Sequence, residues 1–321
     1  MGALWSELGK KLAERWLSLL VLPGALYLAV VAAGTCLRHE RALDAAQLIR
    51  RVNDYAQSPT VDTVGGQVLL LVSVLAASAA VGLGAQGMGS LVERVVLAAD
   101  WQTWIPPGRV AAAWLVSVRR DRWTRAARIY LDLRVAAARS RALGTRADPA
   151  PREAAYRTMA RISQEYPQRP TWSGDRVHAV TARLERDHHL SLATIWPYLW
   201  LTFPEPTRTE VTLARSALSR AASLLGWSLL YLMLAVWWWP AGLIGCALAV
   251  AGRLRVRNCA DTYALLLEAA ARLHTAELAA ALGLGRPGPE SPDGSAPPGP
   301  LSRETAEALT LLLGGSPPPV P

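Results

Sequence analysis

The densest group of residues able to ligate a metal or carry a proton is Asp187-His188-His189. A zinc site needs three or four ligands at spacings that bring them together. The sequence contains no His-Glu-x-x-His and no Cys-x-x-Cys, so the triplet reads as a solvated helix end. Cys36, Cys246 and Cys259 lack metal-ligand or redox spacing and read as small apolar fillers. His274 falls on an apolar helical face and reads as a packed histidine. Gly82, Gly84, Gly87 and Gly89 resemble a phosphate-binding loop only in composition: they lie in or at the end of an apolar run, and no Lys-Ser/Thr follows. No Ser or Cys stands in a nucleophile setting. No catalytic, cofactor-binding or metal-binding residue is assigned, and the chain is not expected to be an enzyme.

The elements that would have to position any site are dominated by membrane-like stretches. Residues 221–252 hold 32 positions without an Asp, Glu, Lys, Arg or His, closed by Arg215 and Arg220 on one side and Arg253, Arg255 and Arg257 on the other. A bilayer core about 30 Å thick takes roughly 20 helical residues. The run is too long for one upright span and slightly short for two. It is either one tilted, Pro-kinked helix or a tight hairpin whose flanking arginines snorkel to the headgroups. Arginine close to a span favours the cytoplasm, and both flanks carry it, which selects the hairpin. A transmembrane hairpin (helices 3 and 4) is therefore expected over 213–254, with Trp237, Trp238, Trp239 and Pro240 at the turn.

The remaining chain divides around it. Residues 1–16 read as an interfacial helix, with Trp5, Leu8, Leu12 and Trp16 at helical spacing. Residues 17–37 form transmembrane helix 1. The run is long for a cleaved signal peptide, and Ala33-Gly34-Thr35-Cys36 matches a lipoprotein site poorly. An external loop, 38–64, carries an amphipathic helix over Leu43, Leu48, Val52 and Tyr55. Transmembrane helix 2 covers 65–89; Ala76, Ala80 and Gly84 lie four apart, as do Ser78 and Gly82, a spacing that lets helices approach closely. An Arg-rich helical cytoplasmic domain follows over 90–212. Its helices are expected over 109–143, 152–166 and 174–189, with a kink at Trp196-Pro197 and a capping box starting a helix at Thr207. After the hairpin come a cytoplasmic helix, 255–284, and a disordered Pro-rich tail, 285–321, with a short helix at 305–313.

Charge agrees with this threading. With both termini cytoplasmic, the inside segments hold 30 of the 34 Lys and Arg residues. The formal net charge of +9 then follows from the positive-inside rule and attraction to anionic lipid. Residues 119–146 carry nine Arg against Asp121 and Asp132. These arginines are spread around the helix rather than striped, which favours lipid or protein contact over nucleic acid. The Arg-over-Lys bias, abundant Ala and a single Phe, Phe203, match the codon usage of a GC-rich bacterial genome.

Residues 170–283 resemble a group of uncharacterised, mainly actinobacterial, multi-pass membrane proteins. The resemblance rests on Trp196-Pro197 followed by Leu199, Trp200 and Pro204, on Ala217-Leu218 leading into the Trp-rich hairpin, and on Tyr263, Leu273-His274 and Leu278. The sequence departs from the group at Tyr198, where a basic residue is expected. The resemblance implies the hairpin and no activity.

The expectation is an all-α integral membrane protein of about four transmembrane helices in the plasma membrane, without cofactor. It would serve as a scaffold, sensor or effector subunit that touches anionic lipid through Arg and engages a protein partner or a second copy. The alternative is an oligomeric pore-forming or transport component.

Overall fold

The structure, a computed structural model, describes Glu7 and residues 21–57, 63–284 and 303–314. The interfacial helix expected over 1–16, the start of the first span and most of the Pro-rich tail lie outside these residues. Among the described residues the fold is all-helical, with no strand. The elements are α1 (Leu22–Leu37), α2 (Ala45–Ala56), α3 (Val64–Leu97), a 3₁₀ turn (Trp101–Thr103), α4 (Pro106–Ala142), α5 (Ala150–Ile162), α6 (Trp172–His188), α7 (Leu192–Thr202), α8 (Glu205–Leu234), α9 (Trp239–Ala281) and α10 (Arg303–Gly314). They divide into two compact units, Met1–Glu93 with Ser219–Arg255, and Arg94–Leu218 with Val256–Pro321.

Two helices, α3 and α8, are long and apolar enough to cross a membrane, fewer than the four expected. The apolar helix α1 has 16 described residues, short of a full span. The apolar start of α9 gives way to Arg253 and Arg255 after Gly252. Only 17% of the most apolar window of α3 is buried within the protein; Val68, Leu69, Leu71 and Val72 face outward.

Small residues set the packing of the first unit. A Cβ on Gly24 of α1 would stand 2.1 Å from the Ser78 carbonyl oxygen of α3, so only glycine permits that approach. Further along α3, a Cβ on Gly89 would stand 2.9 Å from the Ser223 Cα of α8, and one on Gly226 would stand 2.8 Å from the Gly89 nitrogen. Ser78, Gly82, Ala85 and Gly89 thus form the inward face of α3, while Ala76, Ala80 and Gly84 face outward. The chain reverses between Leu234 and Trp239. The close neighbours Gly242–Ala235, Gly245–Leu232 and Gly252–Leu225 keep one antiparallel register along α8 and α9. Tyr27 of α1 packs against Trp227 and Tyr231, within a cluster that also holds Leu234, Ala241 and Trp238.

The second unit is built on a conventional apolar core. Val180 and Leu184 of α6, Ile195 and Leu199 of α7, Val211 of α8, Leu267 and Leu278 of α9, and Leu309 of α10 bury together. Trp196, Trp200 and Phe203 stack beside them, and His274 lies 5.1 Å from the Phe203 ring. Several boundaries differ from expectation for reasons of backbone chemistry. Helix α4 begins at Pro106 rather than Arg109, because Pro fits the first helical turn, whose N–H groups lack partners anyway. Helix α5 ends at Ile162, four residues early, where Ser163 turns extended. Helix α8 starts at Glu205, ahead of the capping box expected at Thr207. Pro197 is accommodated inside a continuous α7.

Candidate docking surface

The second unit contains a polar seam that fixes α4. Asp175, in the first turn of α6, is 3% exposed. It accepts hydrogen bonds from Arg119 Nε at 3.2 Å and Nη2 at 2.6 Å, and from the Gln168 and Arg169 amides at 2.9 and 2.8 Å. Arg119 Nη2 also donates to the Ile162 carbonyl, Arg120 Nε to the Pro167 carbonyl and Trp123 Nε1 to the Ser163 carbonyl. The segment after α5 therefore hangs from α4 by side-chain bonds to its backbone carbonyls. The side chain of Thr171 caps α6 by accepting from the Gly174 amide and donates to the Val96 carbonyl. Arg169 Nη1 reaches the Leu97 carbonyl, so the last carbonyls of α3 gain partners.

Helices α6 and α9 are joined by a second series. Arg257 lies over the Trp172 ring at 4.5 Å, Arg176 pairs with Asp261 and Arg183 with Glu268. All three pairs keep the same sequence offset, so the two helices run parallel there. His178 of α6 lies within electrostatic reach of Arg169 and Asp175. Burial lowers its pKa below the ordinary imidazole value, and the Arg169 charge lowers it further.

With the seam holding α4, an antiparallel partner, α5, packs along it. Ala126 and Ala127 of α4 and Met159 of α5 bury together, flanked by Trp123, Tyr130 and Ile162. This interior leaves the arginines outside. Residues 106–162 hold thirteen arginines against Asp121, Asp132, Asp148 and Glu153, a net of +9. That equals the net charge of the whole chain, +9, so all other residues balance to zero. Among the described residues, Arg119 alone of this set forms an ion pair. Arg125, Arg141 and Arg157 bond backbone carbonyls one turn back. Arg122, Arg128, Arg134 and Arg139 are exposed and pair with no carboxylate among the described residues.

Two open clefts lie along the hairpin. One, of about 310 Å³, has Arg122 and Arg125 beside Ala126, Ile129, Ala155, Thr158 and Ile162. The other, of about 410 Å³, is lined by Tyr130, Tyr156, Arg152, Glu153 and Arg157, with the two tyrosine rings 5.6 Å apart. Guanidinium groups next to apolar side chains suit an anionic group carried on an apolar body.

The residues singled out for chemistry do not converge. His189 adopts left-handed backbone (φ 53°) and closes α6: its amide donates to the Glu185 carbonyl, and Leu190 donates to the Leu184 carbonyl. Its ring lies 3.7 Å from Glu307, while Asp187 pairs with Arg186. His274 Nδ1 lies 2.8 Å from the Glu277 carboxylate. Cys36, Cys246 and Cys259 are free thiols. Among the described residues no three His, Cys, Asp or Glu side chains gather as a metal site would need. The buried residues that matter most, Asp175 and Arg176, lacked any motif. The seven-residue spacing of Arg176 and Arg183, matched by Asp261 and Glu268, was the available signal. Comparison with protein-family models, with curated proteins and with solved structures gives no match.

Proposed function

We propose that this chain is a non-enzymatic integral membrane scaffold whose α4–α5 hairpin docks on anionic phospholipid headgroups. The carrying observation is that a net charge equal to that of the whole chain is concentrated in 106–162, where, among the described residues, twelve of the thirteen arginines form no ion pair. Each arginine near an anionic leaflet contributes on the order of 1 kcal/mol, so several together bind firmly while single losses are graded. Membrane insertion is supported by α3 and α8, and above all by the unburied apolar surface of α3. The core of a soluble protein would have covered that surface. In this reading α1 and the start of α9 complete four spans, in the plasma membrane, with both termini cytoplasmic. The scaffold then presents the second unit to a protein partner.

The test is amide exchange over 106–162 on the full-length protein, in nanodiscs of zwitterionic or of anionic phospholipid. Exchange should slow in the anionic discs and recover in high salt, which screens exposed charges. Equal exchange in both discs would remove the lipid reading.

A second reading, self-association, is favoured by one observation. Ala76, Ala80 and Gly84 face outward on α3, and a Cβ on Gly84 would meet nothing within 4 Å. Such a face admits a second copy at close range, as an oligomeric pore or transport component would need. Cross-linking between Ala80→Cys copies in bilayers tests it, and a strictly monomeric product counts against it.

A further inference from the structure

Between α1 and α3 the chain forms a helix that the scaffold reading does not use. Helix α2 is capped by Asp44, whose carboxylate accepts from the Gln47 amide at 2.9 Å. At 100° per residue, Leu48, Ile49, Val52 and Tyr55 fall on one side and Gln47, Arg50, Arg51 and Asp54 on the other. The apolar side is not turned into the bundle: Ile49 is 60% and Val52 58% exposed. A soluble helix with this pattern would bury that side.

What covers it is indicated by its surroundings within the same unit. The corner leading into α2 is tied to the tip of the α8–α9 hairpin. Trp238 Nε1 donates to the Ala42 carbonyl at 3.1 Å, and His39 Nδ1 lies 2.6 Å from the Trp237 carbonyl. Leu43 and Trp239 line one cleft there. Leu43, Trp237 and Trp239 are all exposed, at 76%, 64% and 42%. Tryptophan concentrates at the membrane–water boundary. Soon after α2 the chain enters α3, whose Val64, Val68, Leu69 and Leu71 face outward as an apolar wall. The exposed face of α2 therefore begins beside a tryptophan-bearing tip and leads into an apolar wall, and its polar side carries Arg50 and Arg51. That is the composition of a helix lying in the plane of a lipid surface.

We propose that α2 is an in-plane interfacial helix. Its Ile49–Val52 face rests at the headgroup–acyl boundary of the leaflet that receives the hairpin tip, and Arg50 and Arg51 turn to phosphate and water. The occupant of the face is the phospholipid surface. This inference rests on the membrane-spanning reading of α3 and the hairpin, and adds to it a second, shallow attachment that limits the tilt of α1 and α3.

The experiment uses the full chain in proteoliposomes, with Cys36, Cys246 and Cys259 replaced. Single cysteines, Ile49→Cys, Val52→Cys, Arg51→Cys, Asp54→Cys and Leu70→Cys, carry an environment-sensitive fluorophore. All five sites are exposed, so the labels leave the packing of the bundle intact. Labels at 49 and 52 should be quenched by lipid bearing a shallow nitroxide, with several-fold weaker quenching by aqueous iodide than labels at 51 and 54. The label at 70 should respond to a deep nitroxide and not to iodide. Iodide reaching 49 and 52 as readily as 51 and 54 would overturn the proposal, since the face would then be open to water. Shielding of 49 and 52 from both quenchers would also overturn it, by showing a protein covering, either a second copy or another chain. Failure of the label at 70 to respond to lipid would defeat the membrane reading itself, and this inference with it.

Discussion

Asp175 accepts four hydrogen bonds inside the second unit and joins α4, the 163–170 segment and α6 in one network. Removing one partner of a buried ion pair leaves the other charge uncompensated, at about 3–5 kcal/mol. Asp175→Ala should therefore destabilise the protein by about that amount, seen as a lower thermal midpoint in detergent and faster proteolysis between α5 and α6. Asp175→Asn keeps an acceptor for part of the network and should fall in between. Equal midpoints for wild type and alanine variant would contradict the network's role. His178, beside this network, gives a prediction in pH. Burial and Arg169 hold its folded pKa below the ordinary value of 6.5. As pH falls below 6.5 the unfolded chain binds the proton first, so the folded state loses stability; the contribution is complete above 6.5 and disappears through the lower folded pKa. The thermal midpoint should thus drop between neutral pH and pH 5.5, and His178→Gln should shallow that drop. Identical pH profiles would count against it. The sequence offered little warning of either residue. Asp175 lies next to the expected start of its helix at Gly174, and burial of a carboxylate depends on an arginine 56 residues away.

Helices were the most legible elements, because apolar periodicity and Pro or Gly punctuation act locally. The all-helical class followed from these, and the errors clustered where a terminus depends on tertiary partners, as at Ser163. The choice of face on α3 was harder. Ala76-Ala80-Gly84 and Ser78-Gly82 are equally good small-residue series by spacing, and only the neighbours decide between them. Gly24 meets the backbone of Ser78, whereas Gly84 meets nothing. Gly24→Ala must push α1 off α3, and overpacking of this kind costs about 1–3 kcal/mol. Gly84→Ala adds a methyl to open space and should be neutral, or stabilising by up to about 1 kcal/mol through helix propensity. Thermal midpoints of the two variants in detergent should differ clearly and in that order. Equal losses would mean that α3 is rotated relative to this packing.

At the scale of the whole molecule, charge and hydropathy divide the chain. The arginines that produce the net charge sit in 106–162, and the apolar helices lie largely in the other unit. That division was visible in composition, but the concentration of unpaired charge on one helical hairpin required the ion pairs of the rest of the chain to be known. It bears directly on threading. Arg215 and Arg220 precede the hairpin of α8 and α9, and Arg253, Arg255 and Arg257 follow it, so one side of the membrane should hold both flanks. The native thiols report on this without added residues. Cys36 lies near the end of α1, just before Arg38; Cys246 lies within the apolar part of α9; Cys259 follows the second arginine cluster. A membrane-impermeant maleimide applied to intact cells should label Cys36 and spare Cys246 and Cys259. After permeabilisation the same reagent should reach Cys259, which is partly exposed; this shows that its earlier silence reflects sidedness rather than an unreactive thiol. Labelling of both Cys36 and Cys259 in intact cells would place the second arginine cluster outside while the first stays inside, break the pairing of the two flanks, and require the α8–α9 segment to cross the bilayer an odd number of times.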